Sequence, residues 1–138
     1  MDNMGPVWVC SVNNNHLSRG KRKDNDKWVE GYYVGETKGY ISHSIYDFNS
    51  LSGLDYKVNG LTVGRCTGML DKNKKLIFEG DIIRIKKQKV GKVEWGEYEW
   101  VLRYNDKSCY GFGWHDDSDI TIIGNIHDNP ELLEVQNG

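Results

Sequence analysis

The chain has 138 residues, 28% of them charged, and a formal net charge of -2. Sixteen glycines stand against two prolines, and five Trp and eight Tyr against three Phe. This balance excludes a strongly basic nucleic-acid tail, a coiled coil and a disordered acidic chain, and it suits short strands joined by tight turns. Along residues 1–26 the signals are sparse. Val7-Trp8-Val9-Cys10 reads as a strand or an arm, and Asn13-Asn14-Asn15 reads as a turn. Arg19, Lys21, Arg22 and Lys23 then put four cations in five residues, answered by Asp24-Asn25-Asp26. Lys27–Val34 and Gly39–Ile45 read as strands, the first rich in aromatic and β-branched residues. Residues 46–60 carry Asp47, Asn49, Ser50, Ser52, Gly53, Asn59 and Gly60 and read as a loop, with a short strand at Leu61-Thr62-Val63 leading out.

The second half has a clearer period. Leu76–Phe78 and Asp81–Lys86 read as strands around Glu79-Gly80. Ile83 and Ile85 alternate with Arg84 and Lys86, as a half-buried strand requires. Val90–Trp95 pairs back, and Gly96-Glu97 suits a two-residue hairpin turn. Tyr98, Trp100, Leu102 and Tyr104 then fall at a period of two, with Glu99, Val101 and Arg103 facing the other way. Tyr110, Phe112 and Trp114 repeat the pattern, and Ile120–Ile126 forms the last strand. A short helix follows, with Asn129 as cap, Pro130 at its first position and Glu131 in its first turn. The expected fold is all-β: an N-terminal β subdomain over 1–64 and an SH3-like small barrel over 65–138, ending in the short helix.

Three ordered blocks carry a family resemblance. The run Thr67-Gly68, Asp71-Lys72-Asn73, Lys75 and Ile77-Phe78-Glu79-Gly80-Asp81 resembles the core of the YopX family. Arg19-Gly20-Lys21-Arg22 with Trp28-Val29-Glu30-Gly31-Tyr32-Tyr33 resembles its N-terminal block. Ile122-Ile123-Gly124-Asn125-Ile126-His127-Asp128-Asn129-Pro130-Glu131-Leu132-Leu133 resembles its C-terminal block, so the likeness spans about residues 19–133. Lys74 stands where the family usually has Gly, and Arg65-Cys66 where it has Gln-Tyr. The resemblance implies a β-rich protein encoded by a phage or prophage. It carries over no catalytic residue, cofactor or substrate.

Several residue groups invite a functional reading. Arg84, Lys86, Lys87, Lys89 and Lys92 place five cations in nine residues, a candidate phosphate-binding hairpin for nucleic acid or a lysine-guarded edge strand. Tyr110, Phe112 and Trp114 form a candidate aromatic interface; packed inward, a row of this kind is barrel core. Glu79 and Asp81 read either as an acid-base pair or as a turn whose carboxylates accept backbone N–H bonds, and the turn is favoured. His115-Asp116-Asp117-Ser118-Asp119 has residue types that suit a divalent ion but lacks a known loop spacing, so a solvated turn is favoured.

Cys10, Cys66 and Cys109 show no CxxC spacing and are expected as reduced, buried or half-buried thiols. No segment has the length and apolarity of a membrane span, and Met1–Cys10 lacks the pattern of a signal peptide. The expectation is a cytoplasmic protein of a bacterial host with no cofactor, no bound metal, no membrane partner and no enzymatic activity. It is expected to be a binding or assembly module that forms a homo-oligomer and meets a phage or host protein. The alternative is a nucleic-acid-binding accessory protein using the 84–92 hairpin.

Overall fold

The protein is described from a computed structural model that covers residues 17–37, 41–47 and 54–135. The expected strand at Val7–Cys10, the turn at 13–15, Cys10 and the middle of the 46–60 segment lie outside the described residues. Among the described residues ten strands and one short helix follow in order: β1 (Ser18–Arg22), β2 (Trp28–Thr37), β3 (Ile41–Tyr46), β4 (Asp55–Leu70), β5 (Leu76–Phe78), β6 (Asp81–Ile85), β7 (Gly91–Trp95), β8 (Trp100–Arg103), β9 (Cys109–Gly111), β10 (Ile120–Asn125) and α1 (Glu131–Val135). The fold is mainly β, as its composition predicts, and it is built of two antiparallel sheets. The chain divides into two compact units, Met1–Cys66 and Thr67–Gly138.

In the first unit β1 pairs with both β2 and β4, and β3 also pairs with both. The four strands therefore form a closed ring of pairings, which leaves little unpaired edge. Val29, Ile45 and Val58 form its buried centre, with Tyr56 and Val63 packed against them. Gly31 makes the ring possible. It lies where β2 leaves β1 for β3, and a Cβ there would overlap the Tyr46 carbonyl oxygen.

The loop expected over 46–60 is corrected by β4, which begins at Asp55 and runs for 16 residues. The turn signal Asn59-Gly60 makes a bulge instead. Between Arg19 and Lys21 the register with β1 shifts, so that Lys21 faces Asn59 while Arg19 faces Gly64. Side-chain bonds close the bulge: Leu61 N–H donates to Asn59 Oδ1, Thr62 Oγ1 donates to the Asn59 carbonyl, and Lys21 N–H donates to Thr62 Oγ1. Asn is suited to such local bonding, and the neighbouring strands pair the chain on either side of it.

In the second unit the strand order is β10-β6-β7-β8-β9, a four-strand meander whose fifth strand returns beside the first. A 3-10 turn at Asp117–Asp119 precedes that return. The order is compatible with the expected SH3-like barrel. Ile77, Ile83, Ile85, Val93, Leu102, Phe112 and Ile120 make the core, and Met69, Trp100, Tyr104, Tyr110 and Ile122 pack around it.

Two carboxylates fix the turns of this unit. Asp71, fully buried, accepts from the N–H groups of Asn73 and Lys75, and from that of Ile122 in β10. Asp81 accepts the Phe78 N–H at 2.7 Å, bridging Gly80, whose φ of 94° favours glycine.

Three local expectations need correction. The β7–β8 turn spans residues 96–99 rather than two, closed by the Gly96 N–H on the Glu99 carbonyl, so Tyr98 lies on the turn and is 88% exposed. Val101 points away from Leu102, as the alternation expects, and is buried as well, its side chain filling the space beside Gly96. Lys86 leaves the strand with φ 53° instead of continuing it. Asn129 turns its side chain back to accept the Asn125 N–H rather than capping the helix.

Candidate functional site

Of the five cations on the β6–β7 hairpin, three are paired within the second unit. Lys86 Nζ is 3.9 Å from Asp119, Lys89 Nζ 3.6 Å from Asp106, and Lys92 Nζ 3.1 Å from Glu94. Lys89 also lies over the Tyr104 ring at 4.4 Å. Arg103 Nε bonds Glu94 at 3.1 Å, so Glu94 serves two cations. Burial pushes the Glu94 carboxyl up, but the hydrogen bonds from Lys92 and Arg103 outweigh it and hold the group below its ordinary range. Asp106 is held low by the Ser108 hydroxyl and N–H. Arg84 and Lys87 are exposed and have no acidic partner among the described residues. The β7 side of the hairpin is thus neutralised, and the charge that remains lies at Arg84 on β6 and Lys87 on the turn.

The basic cluster before β2 belongs to the first unit, and it too is occupied. Arg22 forms a two-point bond to Asp24, Lys21 reaches Asp26 at 3.6 Å, and Arg19 lies over the Trp28 ring at 4.6 Å.

The aromatic row on and after β9 does not act as one surface. Phe112 is fully buried in the core, which corrects its assignment to an interface. The alternation places Tyr110 and Trp114 on the same side only if the strand continues, but β9 stops at Gly111 and the chain turns. Tyr110 stays half-buried, and Trp114 swings out to 73% exposure. There Trp114 stacks on His115, with ring centres 4.0 Å apart and planes 25° apart.

His115 is the support of that stack. Its side chain is only 5% exposed; Nε2 meets the Tyr110 hydroxyl at 2.8 Å and Nδ1 faces Asp119 at 3.8 Å. Asp119 Oδ2 also receives Lys86, so one carboxylate ties the β6–β7 turn to the aromatic loop. Asp117 draws in Lys74 at 4.0 Å from the 71–75 turn, whose backbone is bonded to β10 through Lys72 N–H and the Ile120 carbonyl. Among the described residues, no three His, Cys, Asp or Glu side chains gather as a metal site would require.

The sequence singles out Trp114 and Lys86 but assigns them to separate candidates, and it places His115 in a solvated turn. The i,i+4 spacing of His115 and Asp119 is a signal for their pairing. Nothing local signals the Tyr110 contact.

The first unit carries a second feature that the sequence does not mark. Tyr32 and Tyr46 are directly opposed across β2 and β3, 37% and 44% exposed, with Val34 next on the same side of β2. Leu54, beside the residue opposite Tyr46, is also exposed. On the other side of β2, Tyr33 bonds His43 at 2.5 Å and lies against its ring.

Of the thiols, Cys66 is buried as expected and Cys109 is exposed. Among the described residues no helix is long and apolar enough to cross a membrane.

Two small antiparallel β units, with buried carboxylates at the turns of the second, define a mainly β protein whose exposed aromatic groups make its most distinctive surfaces. The chain belongs to the YopX family, whose description, YopX protein, matches residues 18–134. No curated protein matches it. Among solved structures it is similar to the crystal structure of protein EF1440 from Enterococcus faecalis, at 19% identity over 84% of this chain and 96% of that one, with a TM-score of 0.47.

Proposed function

We propose that this chain is a non-enzymatic binding or assembly module, encoded by a phage or prophage and acting in the bacterial cytoplasm, that associates with itself through the outer side of β2 and β3. The observation that carries the reading is the opposed pair Tyr32 and Tyr46 with Val34 alongside, all exposed on one face. Tyr is a natural interface anchor because a large apolar ring ends in a group that tolerates water. The closed ring of strands favours packing by this face over pairing by an edge. A second copy suits the face because a net charge of -2 sets little repulsion between copies. The non-enzymatic part rests on how the buried acids are used: Asp71 and Asp81 are engaged by backbone N–H groups that hold turns. The phage origin rests on the family.

Sedimentation equilibrium of the wild-type chain and of a Tyr32→Ser, Tyr46→Ser variant tests the reading. The expected result is a wild-type oligomer whose dissociation constant rises at least about 10-fold in the variant, since the loss of two interface aromatics commonly exceeds about 1.4 kcal/mol. Circular dichroism confirms that the variant is folded. A wild-type monomer at about 100 μM, or an oligomer indifferent to both substitutions, overturns it.

A further inference from the structure

We propose that Trp114, with Lys86 and Lys74 reaching its loop and Arg84 on the adjoining strand β6, is a contact site for single-stranded nucleic acid: a base stacks on the open face of the indole and the neighbouring phosphates meet the cations. This goes beyond the assembly reading and is independent of it, because every residue involved lies in the second unit.

The first ground is the indole itself. An isolated exposed Trp is ordinary, but Trp114 is held. One face rests on His115, which is itself fixed from two sides by the Tyr110 hydroxyl and Asp119. Tyr110 supports both rings, meeting Trp114 edge-on at 6.4 Å and His115 at 5.8 Å. A ring ordered in advance loses little freedom when a planar ligand stacks on it. Stacking of bases on such aromatic platforms is tolerant of sequence, because every base has a π-face.

The second ground is charge. Lys86 and Lys74 approach the loop from two different turns, and each reaches a carboxylate only at 3.9 and 4.0 Å, the long end of ion pairing. Both lysines are exposed, and exposed pairs of this kind hold weakly. A phosphate can therefore replace Asp119 or Asp117 at small cost. Arg84 faces Thr121 across β6 and β10, is exposed and has no acidic partner among the described residues. Lys72, Lys75 and Lys87 add exposed cations on the same two turns, against the acids Asp116, Asp117 and Asp119 and the buried Asp71. The local balance is positive although the chain as a whole is not.

The third ground is what the arrangement excludes. A duplex hides its base faces, so an indole platform selects single strands. The β7 side of the hairpin contributes little, because Lys89 and Lys92 are paired with Asp106 and Glu94.

Fluorescence anisotropy of a labelled oligothymidylate of about 12 nucleotides against the full chain tests the site, at about 50 mM salt, where phosphate contacts are strong. The expected result is saturable binding to the single strand and at least about 10-fold weaker binding to a duplex of the same length. Trp114→Ala should weaken binding about 5- to 100-fold, while Trp114→Phe, which keeps a stacking face, should recover most of it. Lys86→Ala with Lys74→Ala should reduce the salt slope by about 1.4, at about 0.7 for each phosphate that is no longer neutralised. Tyr98→Ala, on a different turn, should leave affinity unchanged. The proposal is overturned if the wild type does not bind, if Trp114→Ala binds as the wild type does, or if polyglutamate competes as well as the oligonucleotide, which would mark the surface as a site for acidic peptides. Trp114 is exposed, so its substitution should leave the fold intact, and near-ultraviolet dichroism of the remaining tryptophans checks this.

Discussion

Lys74 has a backbone φ of 65°, in the left-handed region. The family usually places Gly there, and the structure shows why. The Asp71 carboxylate accepts the N–H groups of Asn73 and Lys75, and the Lys74 N–H bonds the Asp71 carbonyl, so the turn is wound tightly around one residue. A side chain in that conformation costs about 1–2 kcal/mol, and Gly gives back part of this through greater freedom when unfolded. Lys74→Gly should therefore raise stability by about 0.5–1 kcal/mol in urea unfolding, even with the loss of a weak surface pair to Asp117. No gain would mean that the Lys74–Asp117 pair, at 4.0 Å, contributes more than its exposure suggests. The same residue supplies a phosphate contact in the proposed nucleic-acid site, so this substitution should stabilise the fold and weaken the contact together.

At the scale of elements, sequence patterns succeed where one side of a strand is wet and fail where both sides are covered. Ile83, Arg84 and Ile85 are legible because their alternation matches their burial, with Arg84 exposed between two buried isoleucines. The pattern sets Val101 opposite Leu102 but does not show that its side is covered too, because burial on both faces of β8 leaves no polar side to mark. The long β4 escapes sequence reading because Asn59 and Gly60 are turn residues by local chemistry, and only pairing with β1 and β3 on either side makes them a bulge. Gly31 reads as an ordinary strand residue, but its need for a bare Cα comes from Tyr46, 15 positions away. Gly31→Ala should cost more than about 2 kcal/mol, because the contact is with backbone and cannot be relieved by a rotamer change. Hydrogen exchange should show the loss in the amides of β2 and β3 while those of β6–β8 stay protected. Equal protection everywhere would mean that β3 can shift without opening the ring.

Across the whole molecule, the acids that matter are held ready to lose their charge only at low pH. Asp24 is held low by its bond from Arg22, Asp106 by Ser108, and Glu94 by Lys92 and Arg103 against the effect of burial. A carboxylate whose value is depressed in the folded state stabilises the fold above its unfolded value, about 4 for Asp and Glu, and that contribution is lost as the pH falls through the folded value. Stability should thus be level from neutral pH down to about 5 and fall below about 4. Glu94→Gln should be less stable than the wild type at about pH 7, and the gap should close near pH 3; a gap unchanged with pH would assign the effect to packing.

The sequence by itself determined the strand-rich class, the family, the acidic turns around Asp71 and Asp81, and the segregation of a basic hairpin from the acids that follow it. These depend on neighbours a few positions apart, where side-chain period and turn chemistry act. Only the tertiary structure decided that Phe112 is core while Trp114 is surface, that His115 carries Trp114, and that Tyr32 meets Tyr46. Each of those depends on where β9 ends, how a loop folds back or which strands become neighbours, and such contacts are set by the packing of distant segments, which no local pattern records.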